Sequence, residues 1–117
     1  MTNKRLEKLQ ALRHKVAIYV PGTNGVNTAA DNSHYVRMAA ALLSGLFGGA
    51  TATPAVGYWM SDAAGLVEEK TTVVYAYAAG ADLERGLDVV IDFCADMRAD
   101  LQQEAVSLEI DGSLYFI

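Results

Sequence analysis

Cysteine is nearly absent: Cys94 stands alone, so no internal disulfide can form and the fold cannot depend on an oxidising compartment. A long apolar run is missing as well. The least polar stretch, Met38 to Val56, is interrupted by Ser44, Gly45, Gly48, Gly49, Thr51, Thr53 and Pro54, which excludes a helical membrane span. The opening residues MTNKRLEKLQALRHK never give the apolar core of a secretory signal, so a cytoplasmic protein is expected. Basic residues are scarce beyond residue 15. Residues 1–15 carry five basic groups against Glu7, a net +4, whereas residues 16–117 carry four against thirteen acids, a net −9. A body so acidic repels phosphates, so direct nucleic-acid binding is not expected and a basic protein partner suits it.

What is present describes one domain. The 117 residues are 52% hydrophobic and 20% charged, a globular balance in a chain long enough for one core. Residues 1–15 read as an amphipathic helical extension, with leucines at 6, 9 and 12, and residues 16–117 as the domain proper. Val16 to Val20 is apolar and β-branched and stops at Pro21-Gly22, a first strand. The turn-rich PGTNGVNTAAD that follows is a loop. A first core helix begins at Asp31, Asn32 or Ser33, each able to cap it, and ends at Gly48-Gly49. Its apolar face holds Tyr35, Met38, Ala39, Leu42, Leu43 and Leu46.

Ala52 to Met60 and Leu66 to Ala78 form a hairpin of strands, TTVVYAYA carrying the strongest β signal in the chain. A second helix spans about Asp82 to Gln103, burying Leu87, Val90, Ile91, Cys94, Met97 and Leu101 on one arc. EAVSLEI alternates as a last main strand, and Asp111-Gly112 turns the chain into a short terminal strand at Leu114 to Ile117. The order β-α-β-β-α-β predicts an α+β, ferredoxin-like sandwich, two helices on one face of an antiparallel sheet.

Two surfaces stand out. Glu84, Asp88, Asp92, Asp96, Asp100 and Glu104 recur every fourth residue, and each such step turns about 40° around a helix. They wind across the back of the second helix as an acidic ridge that Arg85 alone relieves. The ridge reads either as a solvated, solubilising face or as a docking surface for a basic protein; the acids are too dispersed for a metal ion. The second surface is the sheet face away from the helices, where Tyr19 would lie beside Trp59 or Tyr58 and beside either Tyr75 and Tyr77 or Val74 and Ala76. Such an aromatic face predicts a homodimer, with cover by the N-terminal helix and ligand binding as the other readings.

Catalytic chemistry is not evident in the sequence. His14 and His34 are far in sequence from Cys94, itself on the buried arc. PGTNGVNT lacks the lysine and the Ser/Thr of a phosphate-binding loop. Glu68 and Glu69 precede a strand and point to opposite faces, which disfavours a carboxylate pair. No cofactor, metal or catalytic residue is therefore expected.

The patterns FGGAT, GLV-E-x-x-T-x-V and QEA-x-x-LE-x-DG, spread over roughly residues 16–117, carry a family resemblance. With them the chain resembles small uncharacterised ferredoxin-like proteins encoded on bacterial plasmids, integrated elements and phages. The resemblance implies a part in mobile-element biology (transfer, maintenance or evasion of host defence) and transfers no functional residue. The expectation is a non-enzymatic interaction protein that binds a basic partner through its acidic surface. The alternative is a small ligand binder or enzyme with a pocket between sheet and helix ends, in which His34, Tyr58 and Glu68 would converge.

Overall fold

A computed structural model describes residues 2–25 and 28–117. Part of the expected Pro21–Asp31 loop therefore lies outside the described residues. The elements run α1 (Lys4–Glu7), β1 (His14–Pro21), β2 (Thr23–Asn24), β3 (Thr28–Ala29), α2 (Ser33–Phe47), β4 (Thr51–Ser61), β5 (Gly65–Ala78), α3 (Gly80–Asp100), β6 (Ser107–Ile110) and β7 (Ser113–Phe116). Five strands make one antiparallel sheet in the order β4-β5-β1-β6-β7, and β2 and β3 pair as a small ribbon. This α/β arrangement is consistent with a ferredoxin-like sandwich.

The core lies between the sheet and the two long helices. Val16, Ile18, Val20, Val74, Ala76 and Leu108 point from the sheet to the buried residues of α2 (Tyr35, Ala39, Leu43) and α3 (Val90, Cys94, Met97). Fully burying a side chain such as Leu43 contributes about 1.5–3 kcal/mol before entropy is counted. Gly48 ends α2 with φ of 102°, a left-handed conformation costly for other residues, as its position predicts. Met38 departs from the expected apolar face: it is half exposed, because α2 buries the narrower 35/39/43/47 stripe.

Several expectations need correction. The N-terminal segment is helical for one turn only, capped by the Asn3 side chain, which accepts from Arg5 and Leu6. Leu6, Leu9 and Leu12 remain exposed, so the extension does not form a helical cover over the sheet. A short helix that buries nothing has little to hold it. Of the three candidate caps of α2, Asn32 stands at the N-cap but makes no cap bond; its amide turns away, to the preceding loop. The second long helix stops at Asp100, leaving Glu104 outside it. Glu68 and Glu69 lie within β5, not before it, although on opposite faces as expected.

Candidate functional site

At the end of the sheet where β1 finishes, the long β4–β5 hairpin runs on past the helices, pairing residue for residue out to Ser61 and Gly65. Strand alternation gives the hairpin two dissimilar faces. Gly57, Trp59, Val67 and Glu69 continue the open face of the sheet; Val56, Tyr58, Glu68 and Lys70 continue the helix side. The overhang and the β1–α2 loop enclose three adjoining clefts.

The largest of the three is a groove of about 500 Å³ on the open face. Its floor is Tyr19 and Thr71, one wall is Gly57, Tyr58, Trp59 and Glu69, and the other is Ser107 and Phe116. Around the sheet end, a cleft of about 380 Å³ lies between the hairpin and the loop, lined by Thr23, Ala29, Val56 and Glu68. A third, of about 370 Å³, reaches the start of α2 at Asp31, Asn32, Ser33 and Arg37. Lys70 borders all three. The volumes suit small molecules, whose sites span about 300–1,000 Å³.

Two side-chain amides anchor the described part of the loop. Asn32, 8% exposed, donates from Nδ2 to the carbonyls of Pro21 (2.6 Å) and Thr23 (3.1 Å). Gln103 Nε2 donates to the carbonyls of Gly25 (2.9 Å) and Leu101 (3.1 Å), tying the same loop to the end of α3. Gly22 passes so close to β5 that a Cβ there would be 2.5 Å from the Lys70 carbonyl oxygen, while its N–H donates to that oxygen at 2.9 Å.

Three groups at the site are electrostatically tuned. The Tyr58 hydroxyl donates to Glu68 Oε1 at 2.9 Å, and that bond, then the carboxylate's charge, pushes the phenol pKa up. Tyr19 is likewise raised, first by burial and then by Glu109, to which its hydroxyl donates at 3.3 Å. Asp31 is lowered by its hydrogen bonds with Ser33. All three shifts keep the groups in their ordinary neutral-pH forms. The Asp31 carboxylate stays charged and the two phenols stay protonated.

The residues singled out by sequence are only partly brought together. Tyr58 and Glu68 meet; His34 stacks against Tyr35 and lines none of the three clefts. Tyr19, Trp59, Tyr75 and Tyr77 share the open face, whereas Tyr58, counted with them, lies on the opposite one because it pairs with Glu68. Glu84, Asp88, Asp92, Asp96, Asp100 and Glu104 are all exposed; the first five lie on α3, across the core from the open face, whereas Glu104 follows the helix between Gln103 and Ala105, which line the groove. Asp100 accepts from the Tyr35 hydroxyl, and Arg85 pairs with Asp82, not with the ridge. Glu69, Lys70, Gln103 and Phe116 were missed, since groove residues drawn from five strands and a loop have no spacing pattern.

No protein-family model matches the chain, and no curated protein does. Two solved structures share the fold. A phage SAM lyase in complex with S-methyl-5'-thioadenosine superposes with a TM-score of 0.66 at 21% identity, covering 96% of this chain and 94% of that one. A phage SAM lyase in the apo state gives 0.62 at 20% identity, covering 89% and 87%. Both neighbours are structures of an enzyme. That finding overturns the expectation of a non-enzymatic protein acting through its acidic surface, and it favours the pocket-bearing alternative.

Proposed function

We propose that the chain is a small enzyme that cleaves S-adenosylmethionine, or a close sulfonium relative, in the groove between Trp59 and Phe116. The observation that carries this is the likeness, along nearly the whole chain, to a lyase that holds S-methyl-5'-thioadenosine. In this reading the chain keeps the ferredoxin-like topology and belongs to a mobile element, where removing a methyl donor would serve evasion of host defence.

The chemistry fits the groove. Release of that thioether requires the bond between sulfur and the four-carbon amino-acid arm to break, its electron pair returning to sulfur. A sulfonium cation becomes a neutral thioether, so charge is lost in the transition state. Partly apolar walls favour such a step, because water no longer stabilises the charged ground state. Trp59 and Phe116, both on the open face, offer flat faces to the purine and to the cation. Lys70, at the junction of the clefts, suits the substrate's carboxylate. The arm balances in one of two ways: Glu69 takes a proton from the carbon next to the broken bond, leaving an alkene, or the arm's own carboxylate closes a lactone and no base is needed.

The test is to incubate the protein with S-adenosylmethionine and follow S-methyl-5'-thioadenosine by chromatography with mass detection. Thioether formation above the non-enzymatic rate is expected, and its absence at micromolar protein overturns the assignment. Glu69→Gln then separates the two routes. Loss of a base costs about 10²–10⁴-fold in rate, whereas lactone closure leaves the rate much closer to wild type.

A further inference from the structure

The sheet's open face carries Trp59, Tyr77, Leu114 and Phe116 at 43, 49, 49 and 72% exposure, and no described segment lies over it. We propose that a second copy of this chain seats on that face, sheet against sheet.

Area is the first argument. Large aromatic side chains hold about 150–250 Å² each, so the three aromatics together with Leu114 offer roughly 400 Å² of free apolar surface. Half-buried Tyr19, Tyr75, Val73 and Val67 surround them, and together they approach the roughly 800 Å² per partner of a stable interface.

Charge is the second argument, and it selects a like copy over a basic partner. Near the middle of the face Lys15 and Glu109 already serve one another: Nζ is 4.0 Å from Oε2 and 5.1 Å from the Tyr75 ring centroid. Neither has to find a counter-charge on an incoming surface, which limits the desolvation penalty of covering them. The acids of α3 lie on the other side of the molecule, so two copies meeting sheet to sheet keep their negative surfaces apart. A basic partner would find its complement there instead.

The experiment is light scattering on the full chain across micromolar concentrations, which needs no assumption about the reaction. A mass that is a multiple of 12.5 kDa is expected, falling to that single value in Tyr77→Glu/Phe116→Asp. Both substitutions are at exposed positions, and circular dichroism checks that the variant is folded. If the pair does not fold, Thr53→Arg, at an exposed position on the same face, is read in its place. A monomer at every concentration overturns the proposal. So does a larger mass that neither variant changes, since the contact would then lie elsewhere.

Discussion

Gly22 shows how one residue can set a site. The backbone touches β5 through the Lys70 carbonyl, and a methyl group at 2.5 Å from that oxygen must displace either the loop or the strand. Gly22→Ala is expected to destabilise the fold by about 1–3 kcal/mol in chemical denaturation, the usual range for overpacking. It should also weaken ligand binding, since Gly22 and Lys70 both line the clefts that the displacement would reshape. A variant as stable as wild type would mean that the loop yields freely.

Asp111 makes a second prediction at this scale. It occupies the β6–β7 turn with φ of 53°, accepts from the Lys15 N–H at 2.8 Å, and lies 2.7 Å from His14 Nδ1. The His14 contact first, then the Lys15 bond, lowers its pKa below the ordinary 3.8. A depressed carboxylate adds stability that is fully present above its unfolded-state pKa and is lost as pH falls through the folded one. Acidification below about pH 4 should therefore release the turn, and Asp111→Asn should show a flatter acid limb when melting temperature is plotted against pH. Cys94 gives a third. Burial pushes its thiol up to about 12, so the native protein should resist a thiol reagent at pH 8 and react on unfolding.

Elements were legible where pattern and packing agree. TTVVYAYA reads as a strand because its β-branched and aromatic residues are also those that pack, Val74 and Ala76 inward and Tyr75 outward. The stripe of α3 reads correctly at Val90, Cys94 and Met97 for the same reason. The N-terminal leucines had helical spacing but no surface to bury against, and periodicity without a partner gives one turn. The site was the least legible part. Tyr19, Trp59, Glu69, Gln103 and Phe116 converge only once the hairpin overhangs the loop, a tertiary event that no local spacing records. The ridge of α3 was read correctly as exposed, and its energetics give a prediction for that helix. Asp92→Lys replaces two like-charge neighbours, Asp88 and Asp96, with attractive pairs worth roughly 0.2–0.5 kcal/mol each. The variant should melt slightly higher, with the gain fading as salt rises, and thioether formation should be unchanged because the groove lies on the other side of the sheet.

At the scale of the whole molecule, groove and apolar face are one surface. Tyr19, Trp59 and Phe116 line the groove and also belong to the open side of the sheet, so whatever covers the face borders the ligand. A groove floored by a flat sheet has only two low walls, the hairpin and β7, and remains wet while its face is free. Seating a second copy would exclude that water, and excluding water strengthens each electrostatic contact to a sulfonium substrate. Activity should then depend on protein concentration. Dilution through the dissociation range found by light scattering is expected to lower thioether formation per molecule, and adding S-methyl-5'-thioadenosine should shift the mass back toward the assembled form, because a ligand that binds one state draws the equilibrium to it. Constant specific activity across that range, in a protein shown to dissociate, would mean that a single chain builds the complete site.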